Sequence, residues 1–134
     1  MKKATLLVAL FLTLFQLSAF ACKCRQQTIE ENMASADHVF SGKVMKIVRS
    51  KSSQQMTVFV KIAQQFKGKI RFKTIEITTA NEPSACGYNF QKGREYVIYA
   101  NNGDKNRLDT SSCTRTTESV KEETEGILSL NTKR

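Results

Sequence analysis

The chain has 134 residues, of which 21 are lysine or arginine, 12 are aspartate or glutamate, four are cysteine and one is histidine. This length fits one ordinary domain with a single core. The only histidine is His38, and the sequence has no nucleophilic serine motif to go with it, so a hydrolytic triad is not expected. A single histidine also supplies too few ligands for an intrinsic zinc site, so neither a bound metal nor an intrinsic cofactor is expected. The composition therefore argues against an enzyme.

The first residues have the layout of an export signal. A basic start and an apolar run over residues 4–15 precede Ala19 and Ala21, which stand at positions −3 and −1 relative to Cys22. The run is shorter than the roughly 20 apolar residues of a membrane span. The pattern predicts a signal peptide of bacterial appearance over residues 1–21 and a secreted domain, extracellular or periplasmic, over residues 22–134.

All four cysteines lie in the predicted domain, which is expected to reach an oxidising compartment. An even number of cysteines in such a domain predicts two disulfides. Cys22 and Cys24 are separated by one residue, which would make a strained ring between them. Each is therefore expected to pair with Cys86 or Cys113, in either of two patterns, and both patterns fix the N-terminal segment to the rest of the domain.

Local patterns predict a short helix followed by five strands. Thr28 and Glu31 have the capping-box spacing before a helix over residues 29–36. Gly42 predicts a bulge or bend in the first strand. The predicted strands cover residues 39–48, 56–62, 72–78, 95–100 and, more briefly, 107–112. Apolar residues alternate in two of them, which places Val58, Val60 and Ile62 on one face of the second strand and Ile75 and Ile77 on one face of the third.

Polar segments separate the strands, and a helix is predicted to end the chain. Residues 50–55 contain no apolar side chain and predict a hairpin tip, whereas residues 80–89 contain the only proline and predict a surface loop. The last helix, over residues 116–130, would pack through Val120, Ile127 and Leu128. Five strands with flanking helices predict a mainly β fold, a closed barrel of the oligonucleotide/oligosaccharide-binding (OB) type, with a β-sandwich as the competing architecture.

Cys22 follows the predicted cleavage site directly, and three interpretations arise. A lipid-anchored cysteine is disfavoured because Phe20 is bulky where lipoproteins have a small residue, and because acylation would leave an odd thiol. A redox pair with Cys24 is disfavoured by a spacer of one residue instead of two. The third is a free α-amino group, which with the carbonyl oxygen of Cys22 can chelate a metal ion. On the residues alone, stabilisation of a small domain by disulfides is the better explanation of the cysteines.

Five segments of the chain then form a set. They are the Cys-x-Cys, the short helix, "ADHVFSGKV", "EPSACGYNFQKGREYVIYA" and "SSCTR", and they extend from residue 22 to about residue 115. The Cys-x-Cys, the F-x-G-x-V of the first strand and the S-A-C-G…G-x-x-Y block are the most specific. Together they resemble the tissue inhibitors of metalloproteinases and the related netrin-like modules, as a bacterial member with a single domain.

This resemblance implies an OB-type barrel with the bridges Cys22–Cys86 and Cys24–Cys113. In the family the first cysteine binds the catalytic zinc of the target protease through its amine and carbonyl, a role that falls to Cys22. The second residue, here Lys23, points into the specificity pocket, and the hairpin over residues 50–55 can touch the protease. The inhibitory ridge (the ridge) comprises Cys22, Lys23, Cys24, Arg25, Pro83, Ser84, Ala85 and Cys86.

The sequence departs from the animal inhibitors at two points. Lys23 stands where they commonly have a small hydroxyl residue, and a long cation is poorly suited to a deep apolar pocket. The animal inhibitors also have a third bridge in this domain, whereas four cysteines allow two. A typical matrix metalloproteinase is therefore not the expected target.

Two functions are compatible with these features. The first is a monomeric inhibitor of a zinc metalloprotease, in which the zinc belongs to the target. The alternative is a netrin-like module without inhibitory activity that binds an anionic polysaccharide or another envelope component, because residues 22–134 contain 19 basic and 12 acidic residues and carry a net charge of +7. The basic residues are scattered along the chain and not clustered, so nucleic acid is not an expected partner. No stable membrane anchor is expected either.

Overall fold

The computed structural model describes residues 22–133, so the predicted signal peptide over residues 1–21 lies outside the described residues. Two short 3-10 turns, Pro83–Ala85 and Asp104–Asn106, precede the last two strands. The helices and strands are α1 (Ile29–Ser35), β1 (His38–Arg49), β2 (Gln55–Lys67), β3 (Thr74–Ala80), β4 (Glu95–Asn102), β5 (Leu108–Asp109) and α2 (Val120–Thr132).

The five strands close into a barrel in the order β1-β2-β3-β5-β4. β1 pairs with both β2 and β4 in antiparallel fashion, and the parallel pairing of β3 with β5 completes the circle. The predicted mainly β fold is confirmed: a five-stranded closed barrel with a short N-terminal helix, a C-terminal helix and two disulfides. The competing β-sandwich is not formed.

The register of the long β1–β2 hairpin shifts at three places. The shifts lie between Val39 and Phe40, between Ser41 and Gly42, and between Val44 and Lys46. A Cβ atom at position 42 would lie 2.6 Å from Cγ1 of Val60 and 2.7 Å from the carbonyl oxygen of Lys61, so only glycine allows β1 and β2 to approach this closely. The predicted bulge at Gly42 is confirmed.

The barrel interior is filled by side chains that alternate along the strands. Val58 and Val60 on β2 and Ile77 on β3 are fully buried, as the apolar alternation predicted. A second cluster lies outside the barrel, where α1 and α2 cover β1 and β4, and it consists of Ala36, Val39, Val97, Tyr99 and Ile127.

A local interaction determines where each helix begins: a capping box for α1 and a strand-like pairing just before α2. In α1 the Glu31 amide donates to Oγ1 of Thr28 and the Thr28 amide donates to Oε2 of Glu31, which confirms the predicted capping box. The C-terminal helix starts at Val120 and not at residue 116, because Thr117 still pairs with Val97 of β4.

The packing face of α2 differs from the expectation. Ile127 is fully buried, but Leu128 is 47 % exposed, so the inclusion of Leu128 in the apolar stripe was wrong. The carboxylate of Glu123, one turn before Ile127, faces inward and is only 4 % exposed. A charged residue therefore occupies a position in the packed face of this helix.

The third and fifth strands are shorter or shifted relative to their predicted ranges. β3 begins at Thr74 because Phe72 projects from the preceding connection and is 70 % exposed. β5 has two residues, which reach β3 on one side and β4 on the other. Among residues 22–133 there is no helix with the length and apolar character needed to cross a bilayer.

Candidate functional site

Two disulfides attach the N-terminal segment to the barrel. Cys22 is bonded to Cys86 and Cys24 to Cys113, with Cα–Cα distances of 5.1 and 4.9 Å. Of the two patterns that the sequence left open, this is the one that the family resemblance implied, and it is confirmed. Because the partners are 64 and 89 residues away in sequence, the segment is tied to two distant parts of the chain.

The four sulfur atoms form one compact cluster. All four lie within 4.8 Å of one another, and Sγ of Cys22 is 3.5 Å from Sγ of Cys24 and 3.6 Å from Sγ of Cys113. In this oxidised state the cluster offers no thiolate to a metal ion. The two bridges therefore act as structural constraints, because they hold the segment at Cys22 and at Cys24.

The segment itself is extended and exposed. Residues 22–28 belong to no helix or strand, and Lys23, Cys24 and Arg25 are exposed. Arg25 donates to Oε1 of Glu31 at 2.6 Å, which links the segment to the first turn of α1. The hydrogen bond from Thr28 and the charge of Arg25 hold the pKa of Glu31 below its ordinary value.

The second part of the ridge is a tight turn. Pro83, Ser84 and Ala85 form a single exposed 3-10 turn, which the Cys86 amide closes by donating to the carbonyl of Pro83 at 3.0 Å. Cys86 has a left-handed backbone conformation with φ of 62°. The Cys22–Cys86 bond thus joins a constrained turn to the N-terminal segment.

Hydrogen bonds fix this turn to the barrel on both sides. The Ser112 amide donates to the carbonyl of Cys86 at 2.9 Å, next to Cys113 of the second bridge. The Tyr88 amide donates to Oγ1 of Thr79 on β3 at 3.0 Å. The two segments of the ridge and the strand that supports them therefore form one connected unit.

The predicted hairpin tip lies beside this unit. The Asn81 amide donates to the carbonyl of Gln54 at 2.9 Å, and its side chain donates to the carbonyl of Ser50 at 2.8 Å. Asn81 is two residues before Pro83, so residues 50–55 stand next to the turn of the ridge. The hairpin tip is confirmed, and the structure brings it to the same side of the barrel as Cys22.

A buried ion pair supports the other end of the N-terminal segment. Arg115 binds the carboxylate of Glu123 through Nε at 2.8 Å and Nη2 at 2.7 Å, and the Tyr99 hydroxyl donates to the same carboxylate at 2.7 Å. Arg115 also donates from Nη1 to the carbonyl of Gln27 at 3.2 Å. The buried Asn32 accepts from the Arg115 amide at 3.0 Å and donates to the Gln27 side chain.

The ionisation of this group follows from its contacts. Burial disfavours the charged form of Glu123, but the hydrogen bonds from Arg115 and Tyr99 outweigh it and hold the pKa of the carboxyl below its ordinary value. The hydrogen bonds from Arg115 to Glu123 raise the pKa of Arg115. Burial and the separate hydrogen bond from the Tyr99 hydroxyl to Glu123 raise the pKa of Tyr99. The pair is therefore ionised at neutral pH and holds α2 against the chain that leads out of the ridge.

Sequence reasoning did not find Arg115, Glu123 or Asn32. One signal was present for Glu123, because it stands on the helix face defined by Val120 and Ile127, at spacings of three and four residues. A lone carboxylate in an apolar stripe indicates a buried partner. His38 begins β1 and its Nε2 lies 3.0 Å from Oδ1 of Asn102, in keeping with a partly buried histidine at a junction.

The sequence model of one protein family matches this chain. The family is "Tissue inhibitor of metalloproteinase", and the match covers residues 20–121, which include the ridge, the barrel and the start of α2. The chain belongs to the tissue inhibitor of metalloproteinase family. No curated protein matches it.

Membership in the tissue inhibitor family has direct consequences for the class of function. The chain is a domain of the metalloproteinase-inhibitor type, and family members are inhibitors rather than enzymes. The family indicates a metalloprotease as the partner, and two disulfides fit an extracellular protein. The matched range contains all four bridged cysteines and Arg115, but ends before Glu123, so the buried carboxylate of α2 lies just outside it.

Proposed function

We propose that the protein, once cleaved to begin at Cys22, inhibits a zinc metalloprotease by chelating its catalytic zinc. The α-amino nitrogen and the carbonyl oxygen of Cys22 would form a five-membered ring on the metal and occupy the position that a catalytic zinc keeps open for water. The chain itself contributes no metal, and the zinc belongs to the target. The observation that carries the proposal is the Cys22–Cys86 bond between an exposed N-terminal segment and an exposed, constrained turn.

The chemistry of a terminal amine suits this role. Its ordinary pKa is about 7.7–8.0, so part of the population is neutral at physiological pH, and zinc binding displaces the remaining proton. The amine must be free, because the nitrogen of a peptide bond has no comparable basicity. Cleavage before Cys22 is thus part of the proposal.

Preorganisation supplies the second argument. Binding a flexible terminus costs conformational freedom, and a terminus fixed in advance avoids that cost. Here two disulfides, the Arg25–Glu31 ion pair and the Arg115–Gln27 hydrogen bond hold the segment before any target arrives. Lys23 would then enter the specificity pocket of the protease, beside contacts from Pro83, Ser84 and Ala85.

A single added residue tests the chelation. A variant with alanine before Cys22 keeps the fold but converts the amine into an amide, and inhibition is expected to fall by about 100-fold or more, as for the loss of a dominant anchor. The matched control carries one extra alanine after Arg134 and should inhibit like the natural mature protein. Ki values against a panel of zinc metalloproteases give the readout.

Intact mass must accompany this test. The natural mature protein should have the mass of residues 22–134 less four hydrogens and should gain four on reduction. Equal inhibition by the natural and the N-terminally extended proteins, with both masses verified, would show that zinc chelation by Cys22 is not the mechanism.

A further inference from the structure

The net positive charge of the domain arises in one part of the fold. Between residues 38 and 75 there is no aspartate or glutamate, and the +7 charge of residues 22–134 arises there, because the remainder has two more acidic than basic residues. The basic residues themselves are scattered, and it is the absence of acidic residues that distinguishes this stretch. The nine basic residues of this stretch are Lys43, Lys46, Arg49, Lys51, Lys61, Lys67, Lys69, Arg71 and Lys73.

This stretch folds into β1, β2 and the connection to β3. Lys43 lies directly opposite Lys61 in the β1–β2 ladder, and both are exposed. Lys43 is also in register with Glu95 of β4, and Lys67 donates to the carbonyls of Met33 and Ala34 at the end of α1. The cations of the connection itself are exposed.

The connection over residues 69–73, the basic loop, holds an aromatic side chain out into solvent. Phe72 is 70 % exposed and stands between Arg71 and Lys73. The loop is nevertheless fixed in place, because buried Ile70 exchanges two hydrogen bonds with the Gln65 side chain at 2.8 and 2.9 Å. The carbonyl of Lys73 accepts from the Ile62 amide at 2.9 Å.

We propose that the basic loop docks the domain on an anionic lipid bilayer. Phe72 would enter the interface between headgroups and acyl chains, while Lys69, Arg71 and Lys73 remain at the level of the lipid phosphates. A ring that projects between cations matches the layered chemistry of a bilayer, in which an apolar layer lies directly beneath a charged one. An anionic polysaccharide offers the charge without the apolar layer.

The position of the loop leaves the ridge accessible. The basic loop lies beyond the last residue of β2, whereas the hairpin tip over residues 50–55, which contacts Asn81 beside the ridge, ends at the first residue of β2. The two therefore lie at opposite ends of this strand of 13 residues. A docked molecule could therefore present the ridge away from the bilayer, and the docking does not depend on the proposed inhibition.

Vesicle binding by the oxidised protein of residues 22–134 tests the proposal. We expect co-sedimentation with vesicles of phosphatidylcholine mixed with phosphatidylglycerol, little with phosphatidylcholine alone, and weaker binding at high salt. Arg71→Gln with Lys73→Gln should lower the partition coefficient by about 25-fold, from about fivefold for each cation at an anionic surface. Phe72→Ser should lower it by about tenfold.

Matched variants distinguish the contribution of the basic loop from that of net charge and exposed apolar surface elsewhere in the domain. Lys121→Gln with Lys133→Gln removes the same charge from α2 and its C-cap, and Leu128→Ser removes an exposed apolar side chain from α2. Both variants should bind vesicles like the natural protein. The proposal is overturned if anionic vesicles do not bind, or if the α2 variants lose as much affinity as the loop variants. It is also overturned if an anionic polysaccharide such as alginate binds, vesicles do not, and Phe72→Ser has no effect.

Discussion

The guanidinium of Arg115 and the carboxylate of Glu123 form a two-point ion pair, with N–O distances of 2.8 and 2.7 Å, inside a domain whose other salt bridges among residues 22–133 are exposed. Glu123 belongs to α2 and Arg115 to the chain just after the Cys24–Cys113 bridge. Since Arg115 also binds the Gln27 carbonyl, the pair connects the last helix to the N-terminal segment.

Replacement of Glu123 by glutamine should destabilise the domain by about 2 kcal/mol. Loss of one partner of a buried pair typically costs about 3–5 kcal/mol, and the partial exposure of Arg115 reduces that figure. Urea unfolding gives the measurement. Glu118→Gln, which removes the exposed partner of Arg94, is the control and should change stability by less than about 0.5 kcal/mol; equal effects would contradict a special role for the buried pair.

The same pair predicts a pH dependence. The pKa of Glu123 is below its ordinary value of 4.5 in the folded protein, so its stabilisation is complete above about pH 4.5 and is lost as the pH falls through the lower, folded value. The difference in unfolding free energy between the natural protein and Glu123→Gln should therefore shrink toward zero in acid. Other titrating groups cancel in this difference. A difference that stays constant down to pH 2 would argue against the ion pair as its source.

Gly87→Ala should damage the turn that carries Cys86. A Cβ atom at this position would collide with the carbonyl group of Ala80 and lie 2.9 Å from the carbonyl oxygen of Glu82, both of which are backbone and have little room to move. We expect a loss of about 2–3 kcal/mol. Gly93→Ala is the control, because its Cβ meets no atom within 4 Å and its φ of 85° should cost about 1 kcal/mol. Thermal unfolding distinguishes the two, and a smaller effect at Gly87 than at Gly93 would contradict the steric argument.

The two bridges should differ in function but not in stability. Cys24→Ser with Cys113→Ser and Cys22→Ser with Cys86→Ser each open a long loop and should each cost about 4 kcal/mol on the chain-entropy model. The chelating atoms of residue 22 are backbone atoms and survive in both variants, but only the second variant frees them from the Pro83–Ala85 turn. Inhibition should therefore fall further in the second variant. Equal Ki values for the two variants would indicate that the Cys22–Cys86 bridge does not position the chelating atoms.

Lys23→Thr should shift the range of inhibited proteases from those with an acidic specificity pocket to those with an apolar one. Burial of an ammonium group in an apolar pocket is unfavourable, and a small hydroxyl residue removes that penalty. Inhibition of proteases with a deep apolar specificity pocket is expected to rise by about tenfold or more, while proteases with an acidic pocket lose affinity. Lys121→Thr on α2 is the charge-matched control. The same selectivity before and after the Lys23 substitution would place this side chain outside the pocket.

The sequence predicted the helices and strands whose residues follow a local pattern. The structure differs from the prediction where pairing between residues far apart in the sequence sets the end of a helix or strand. Alternation identified the buried residues of β2 but not its extension to Lys67, since Gln64 and Gln65 join the strand only by pairing with Ser41 and Phe40 of β1. The end of β5 and the start of α2 were displaced for the same reason. Neither the parallel β3–β5 contact nor the Thr117–Val97 bridge leaves a periodic signal in the chain.

The candidate site was likewise predictable only in part. The cysteine spacing predicted that the N-terminal segment is attached twice, and the family resemblance supplied the pairing. The contacts that hold its far end were not predictable, because Arg115, Asn32 and Gln27 meet only after α1 and α2 have packed on the barrel. The charge asymmetry was present in the sequence from the start, and it required only a count of acidic residues between positions 38 and 75.

The sequence separation of the bridges also determines when the ridge can exist during biosynthesis. Cys22 and Cys24 leave the ribosome before their partners, which follow 64 and 89 residues later. Before Cys86 arrives, oxidation has only the strained Cys22–Cys24 ring to form, and a chain that ends before Cys113 can never close the second bridge. The doubly bridged ridge can therefore form only after synthesis has passed Cys113, and shorter unfinished chains do not present it.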